Sequence, residues 1–411
     1  MALSSQRLSV FDPIQGLEFD HLGRYQFAQR LLKRVSAPNC SSAVGLYGGW
    51  GTGKTSILNL IRKINDQDNI PDKPLMEIFD VWPYEVSGDL SLPILFQMQQ
   101  WESALELSTH SMYWRRVFGV LAQAGMDIAL QKFLNIRTSD LQTYADNLQE
   151  LKSYVDDIRK AQDAFCELAQ LVSQAHQNRR IVFLIDNLDR CSPENVVRLL
   201  ESIKNFLHAP NCVWVFAMDS GVIASYIDHK YEGTRMDGNS YLDKIVPEQY
   251  HIPPISDHDI SRLHRFLAMV QPSNAHGLPT VDLGKIPQIP EVLVPRRLLK
   301  TAHKFYEAYT SDLPMGSAAT PDMAFALILL YNTWPVFYEH FASGKVDHVR
   351  GILENFVDNG AIPGIPLSKK FTEDQALKHY LNACFIQGQI QDSVNATLSS
   401  CMVWLRQVGL P

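Results

Sequence analysis

Gly48-Gly49-Trp50-Gly51-Thr52-Gly53-Lys54-Thr55 has the spacing G-x-x-x-x-G-K-[ST], and it stands between an apolar run, Ala43 to Tyr47, and a helix-patterned run that Ser56 opens. Each residue type answers a need of a bound phosphate. Glycines let the backbone wrap round the anion with its N–H groups pointing inward, and the following helix turns its positive N-terminal end to the same point. Lys54 is expected as a solvent-side ligand that neutralises the β and γ oxygens, and Thr55 as the hydroxyl ligand of Mg²⁺. The bland alternative is a glycine-rich turn before an ordinary helix. Strand, loop, Lys, Thr and helix in that order favour a nucleotide site for ATP and Mg²⁺.

A second acid-bearing element follows. Ile181-Val182-Phe183-Leu184-Ile185-Asp186 is an apolar strand that ends in a carboxylate. Such a strand buries itself and projects its last residue toward the metal beside a phosphate loop, the task of a Walker B acid. Alone it is a common pattern in α/β proteins; placed after a phosphate loop it gains force.

The elements that must position these residues are legible as well. β-rich runs recur at Ala43–Tyr47, Leu75–Phe79, Ile181–Ile185, Val213–Ala217 and Gln249–Ile252, mostly separated by helical patterns. That rhythm predicts an α/β fold with a parallel sheet. Residues 1–40, in which Phe27, Leu31, Leu32 and Val35 mark one helix face, read as a segment leading into an NTPase core over 41–270. A helical insertion covers about 91–177. Its latter part keeps a seven-residue pattern through Leu141, Leu148, Val155, Gln162 and Ala169, with Tyr144, Leu151, Ile158, Phe165 and Val172 as the second set. A partner-binding arm and a helix packed on its own domain both fit, and Gln162 and Ala169 weaken the seam in favour of the second. Residues 271–293, rich in Pro, Gly and polar groups, read as a linker, and 291–411 as an all-α carboxyl-terminal unit.

With 411 residues the chain is long enough for two or three folded units. A net charge of -7 argues against a generally basic nucleic-acid binder, although nucleic acid as a local partner stays open. The six cysteines form no metal-type spacing and read as reduced thiols. The opening residues lack a secretory pattern, so a cytoplasmic location is expected. The most lipid-like window, Val117 to Leu134, is interrupted by Gln123, Asp127, Gln131 and Lys132, and no membrane span is expected. The basic-aromatic spot Trp114-Arg115-Arg116 suits a helix edge better than a nucleic-acid platform. Asp219, after the fourth strand, is either a γ-phosphate sensor or a helix cap.

Four blocks in order carry a resemblance: the phosphate loop, Phe79-Asp80-Val81-Trp82-Pro83-Tyr84-Glu85, Asp186-Asn187-Leu188-Asp189-Arg190-Cys191 and Tyr241-Leu242-Asp243-Lys244-Ile245-Val246. Together they resemble the KAP family of P-loop NTPases over about residues 12–300. The resemblance implies that Asp12-Pro13-Ile14 with Asp20, Leu22, Gly23 and Arg24 lies near the nucleotide base. It also implies that Pro295-Arg296-Arg297 begins a helical lid whose Arg296 or Arg297 senses the phosphates. Many members act in bacterial phage exclusion or conflict systems with partner proteins or as oligomers, and many carry transmembrane helices; this chain resembles a soluble member. The missing transmembrane insertion is one departure from the family pattern, and Asn187, where a second Asp is usual, is the other. An amide cannot take a proton. Either Asp189 or Glu85 supplies the acid that activates water, or hydrolysis is slow and ATP acts mainly as a switch. The competing reading is a scaffold whose nucleotide is structural.

Overall fold

In a computed structural model of the chain, the described residues are 9, 11–67, 73–87, 94, 97–98, 100–101, 148–205, 209–233, 237–256, 259–272, 278–311, 315, 319–342, 349–359, 374–386 and 394–409. The five β-rich runs become strands β1 (Ala43–Tyr47), β2 (Leu75–Asp80), β3 (Ile181–Asp186), β4 (Cys212–Met218) and β5 (Glu248–His251). They pair in parallel in the order β2-β3-β4-β1-β5. β1, β3 and β4 are buried along their whole length, as a parallel sheet covered on both faces requires.

Alternate residues of these strands feed two separate cores. Val44, Leu46, Val182, Leu184, Val213, Val215 and Ala217 meet helices α1 (Tyr25–Ser36) and α2 (Lys54–Asn65) on one face. Ala43, Tyr47, Phe183, Trp214, Phe216 and Met218 point to the other. There they meet the end of α3 (Leu148–Ala175), α4 (Pro193–Asn205), α5 (Ser220–Lys230) and α6 (Gly238–Ile245). Phe183 stacks on Trp214 with ring centroids 4.3 Å apart, and Phe165 of α3 stacks on the same indole at 6.4 Å. Phe165, Ala169 and Val172 of the seven-residue pattern are thus buried against their own sheet. The small Ala169, a weak knob for a coiled coil, is what close packing on a sheet permits. Leu141 and Tyr144, the window 117–134 and Trp114-Arg115-Arg116 lie outside the described residues. No helix among the described residues is long and apolar enough to cross a membrane.

The remaining helices are α7 (Ile260–Leu267), α8 (Pro295–Tyr309), α9 (Pro321–Thr333), α10 (Pro335–Ala342), α11 (Val349–Asn359), α12 (Gln375–Leu381), which widens into a π turn at Asn382–Ile386, and α13 (Val394–Gln407). They share one core, with Leu298, Phe305, Phe325, Phe337, Tyr380 and Trp404 at its centre. Thr320 and Asp374 cap α9 and α12, and Asp374 also accepts from Trp334 Nε1 at 2.9 Å. The stretch read as a linker contributes to the same core: Val281, Leu283, Ile286, Ile289, Val292 and Leu293 are buried in it. Its Pro and Gly content prevents long helices without preventing burial.

The chain divides into two compact units. One comprises Ile14–Leu17 and Arg24–Ile252; the other comprises Met1–Pro13, Glu18–Gly23 and Pro253–Pro411. Residues 253–256 and 259–270 thus fall in the second unit. None of the six cysteines forms a disulfide, and Cys191, Cys212, Cys384 and Cys401 are buried.

Candidate functional site

β4 lies between β1 and β3, so the phosphate loop and Asp186 leave the sheet two strands apart, with the end of β4 between them. Gly48 N–H donates to the Met218 carbonyl at 3.2 Å, tying the loop to that strand end. Gly51 and Gly53 have φ of +81° and +101°, a backbone region that side chains oppose. Gly48 is needed for space, because a Cβ there would stand 2.6 Å from Thr52 Oγ1. Thr52 in turn donates to the Gly49 carbonyl at 2.8 Å and closes the loop.

Lys54 departs from the solvent-side position expected of it. It is 8% exposed. Its Nζ donates to Gly48 O at 2.8 Å, Gly49 O at 3.3 Å and Asp189 Oδ2 at 3.0 Å. The helix that starts at Lys54 directs the first-turn side chain back along the loop, and an ammonium buried there needs a counter-charge. Asp189, whose side chain is 3% exposed, supplies it.

Thr55, next on α2, donates its hydroxyl to Asp186 Oδ2 at 2.6 Å. Asp186 Oδ1 accepts the N–H of Asn187 at 2.9 Å. Burial pushes the Asp186 carboxyl above the ordinary range, and the bonds from Thr55 and Asn187 only partly oppose this. A hydroxyl and a carboxylate side by side are a hard-oxygen pair of the kind that holds Mg²⁺ next to phosphate, where one or two protein ligands suffice. Asn187 itself has φ +63° and starts the turn Leu188–Arg190 that carries Asp189. Asn is among the few side chains that tolerate this backbone region, which gives the amide a structural reason to be there.

Glu85 is turned elsewhere. Its Oε1 accepts from Ser192 N at 3.0 Å and Asn195 Nδ2 at 3.1 Å, bracing the start of α4. Burial raises this carboxyl's affinity for a proton, but the hydrogen bonds together outweigh burial and hold it below the ordinary range. Asp219 accepts from Gly221 N at 3.1 Å and Val222 N at 3.4 Å, so it caps α5. It also faces the loop, since a Cβ on Gly49 would lie 3.7 Å from its Oδ2. Arg24 immediately precedes α1, in the same compact unit as the loop. Arg296 and Arg297 occupy the first turn of α8 in the helical unit. Burial lowers the proton affinity of the Arg297 guanidinium, against the pull of Glu291.

The fold thus brings Lys54, Thr55, Asp186 and Asp189 into one cluster and leaves Glu85 with Ser192 and Asn195. Sequence patterning names Glu85 and those four as site residues. It assigned no role to Arg190, whose guanidinium lies over the rings of Trp50 and Trp82. The available signal was an Arg directly after the Asp189 carboxylate, with two tryptophans in the neighbouring motifs.

Comparison with known proteins adds an independent finding. Residues 24–277 match the family described as KAP family P-loop domain. The chain is 25% identical over 234 residues to the phage T7 exclusion protein of Escherichia coli K12, covering 52% of this chain and 30% of that protein. It is 25% identical over 146 residues to the kinase D-interacting substrate of 220 kDa from Rattus norvegicus and from Homo sapiens, covering 34% of this chain and 8% of each. The chain therefore spans less than a third of the length of these relatives.

Proposed function

The chain belongs to the KAP family of P-loop NTPases, and from that premise we propose that it binds ATP with Mg²⁺ at residues 48–56, hydrolyses it, and transmits nucleotide state as a conformational change. The observation that carries this reading is the contact of Thr55 Oγ1 with Asp186 Oδ2 at 2.6 Å beside an ammonium group seated in the loop. Thr55 and Asp186 would hold Mg²⁺, which supplies charge neutralisation at the β and γ oxygens when bound. Lys54 would leave Asp189 for those oxygens. Asp189, released from its partner, would then be the carboxylate that orients water. Glu85 is the weaker base, because its hydrogen bonds favour the ionised form and occupy it with Ser192 and Asn195.

Around this centre the reading assigns Arg24 to the base end of the nucleotide and Arg296 or Arg297 to sensing the phosphates from a helical lid over 291–411, with 1–40 leading into an NTPase domain over 41–270. The likeness to a phage T7 exclusion protein supports a setting in bacterial phage exclusion. There the chain would act in the cytoplasm, as a homo-oligomer or with a partner protein of the same system. A second reading, a nucleotide-bound scaffold with little turnover, is favoured by Asn187, an amide where a second acid would serve hydrolysis.

Phosphate release at saturating Mg·ATP separates the two. The hydrolysing reading expects turnover in the wild type and its loss in Lys54→Ala and Asp186→Asn. It expects a fall of about a hundredfold in Asp189→Asn, a small change in Glu85→Gln, and a gain in Asn187→Asp if water activation limits the rate. ATP binding without release in the wild type would establish the scaffold instead.

A further inference from the structure

Arg190 ends the short turn after β3, one residue beyond the carboxylate that holds Lys54. Its side chain is exposed, and its guanidinium carbon stands 5.8 Å from the Trp50 ring centroid and 5.2 Å from that of Trp82. Both indoles are open to water: Trp50, within the phosphate loop, is 62% exposed, and Trp82, in the turn after β2, is 50% exposed. Among the described residues no carboxylate pairs with Arg190. An indole face orients a guanidinium without neutralising it, and leaves the planar fork of N–H donors for an anion. The loop thus has two cations of opposite character. Lys54 is buried and neutralised; Arg190 is exposed, lies over two indoles and, among the described residues, has no carboxylate partner.

We propose that Arg190 contacts the terminal phosphate of the bound nucleotide from the open side of the loop, with Trp50 and Trp82 as positioning residues that hold its guanidinium. The proposal rests on the nucleotide reading above. The terminal phosphate is the fitting anion because Lys54, which the nucleotide reading assigns to the β and γ oxygens, is partnered by the residue next to Arg190, and because Trp50 belongs to the loop that would enclose those oxygens. A guanidinium fork matches two phosphate oxygens at once. Arg190 stays protonated throughout and moves no proton; its contribution is to charge at the γ-phosphoryl group.

The test compares the affinities of the full chain for Mg·ATP and Mg·ADP by calorimetry, in wild type, Arg190→Ala, Arg190→Lys, Trp82→Leu and Lys54→Ala. Arg190→Ala is expected to weaken ATP at least about tenfold relative to ADP, the worth of one charged hydrogen bond. Arg190→Lys should recover part of the loss, since it keeps the charge and loses the fork. Trp82→Leu should lower the ATP-to-ADP preference with the melting temperature unchanged, which a merely structural stack would not do. Equal weakening of ATP and ADP in Arg190→Ala, or none, overturns the proposal while the loop remains the nucleotide site. A wild type that binds neither nucleotide, or a folded Lys54→Ala that binds as well as wild type, overturns the nucleotide reading itself.

Discussion

At the scale of single residues, Lys54 and Asp189 form a buried ion pair whose side chains are 9% and 3% exposed. Removing one member of such a pair leaves a charge in a poorly solvated place, at a cost of about 3 kcal/mol or more, whereas neutralising both is far milder. Lys54→Ala is therefore expected to lose nucleotide binding and also to melt several degrees lower. Adding Asp189→Asn should restore most of the melting temperature without restoring binding. Thermal melting and nucleotide titration of the two single variants and the double variant check this. Full stability in Lys54→Ala alone would mean that Asp189 finds solvent or another donor.

At the scale of elements, α5 and α6 approach closely at Gly238. Gly238 opens α6 and donates its N–H to Asp228 Oδ1 of α5 at 2.7 Å. A Cβ at this position would overlap the Ala224 carbonyl oxygen, which is backbone and cannot swing aside. Gly238→Ala is expected to cost about 2 kcal/mol by forcing the two helices apart. The loss should appear as a lower midpoint in urea, while Gly233→Ala, open to space but at φ +81°, reports backbone strain alone. Since α6 leads into β5, which pairs with β1 beside the loop, nucleotide affinity of Gly238→Ala measures how far helix packing reaches the site.

At the scale of the whole molecule, stability should fall in acid, and the sign follows from two carboxyls. Glu248 accepts Arg34 Nε at 2.7 Å, Arg34 Nη2 at 2.6 Å and Ser41 N at 2.8 Å, joining the end of α1 to the edge strand β5. The Arg34 hydrogen bonds hold the Glu248 carboxyl below its ordinary value of 4.5, and Glu85 is lowered by its own donors. A group lowered in the native state binds fewer protons there than in the unfolded chain. Its contribution is complete above 4.5 and is lost as pH falls through the lower native value. Asp186, raised by burial, runs the other way: the native state holds its proton more tightly, so acid relieves a cost there. Melting temperature is expected to drop from pH 5 to pH 3, and Glu248→Gln should flatten that drop while lowering stability at neutral pH. An unchanged slope in Glu248→Gln would show that this pair does not carry the acid sensitivity.

Much of this was determined by the sequence alone, wherever the deciding physics is local. The phosphate loop is legible because positive φ at Gly51 and Gly53 and a lysine at the helix start are properties of adjacent residues. β1, β3 and β4 are legible because strands buried on both faces must be apolar throughout. Asp186 could be read from its place at the end of one such strand. What required the tertiary structure is whatever joins distant residues. The order β2-β3-β4-β1-β5 puts β4 between the two motif strands, and no local pattern records that. Lys54 and Asp189 lie 135 positions apart, and their contact turns an expected solvent-side ligand into a buried ion pair. Glu85 reads by type as either a base or a structural acid, and only the fold brings Ser192 and Asn195 to it as donors. Asn187 read as a missing acid, and its φ of +63° supplies the other half of the explanation: a residue is chosen for the backbone it must adopt as well as for the group it presents.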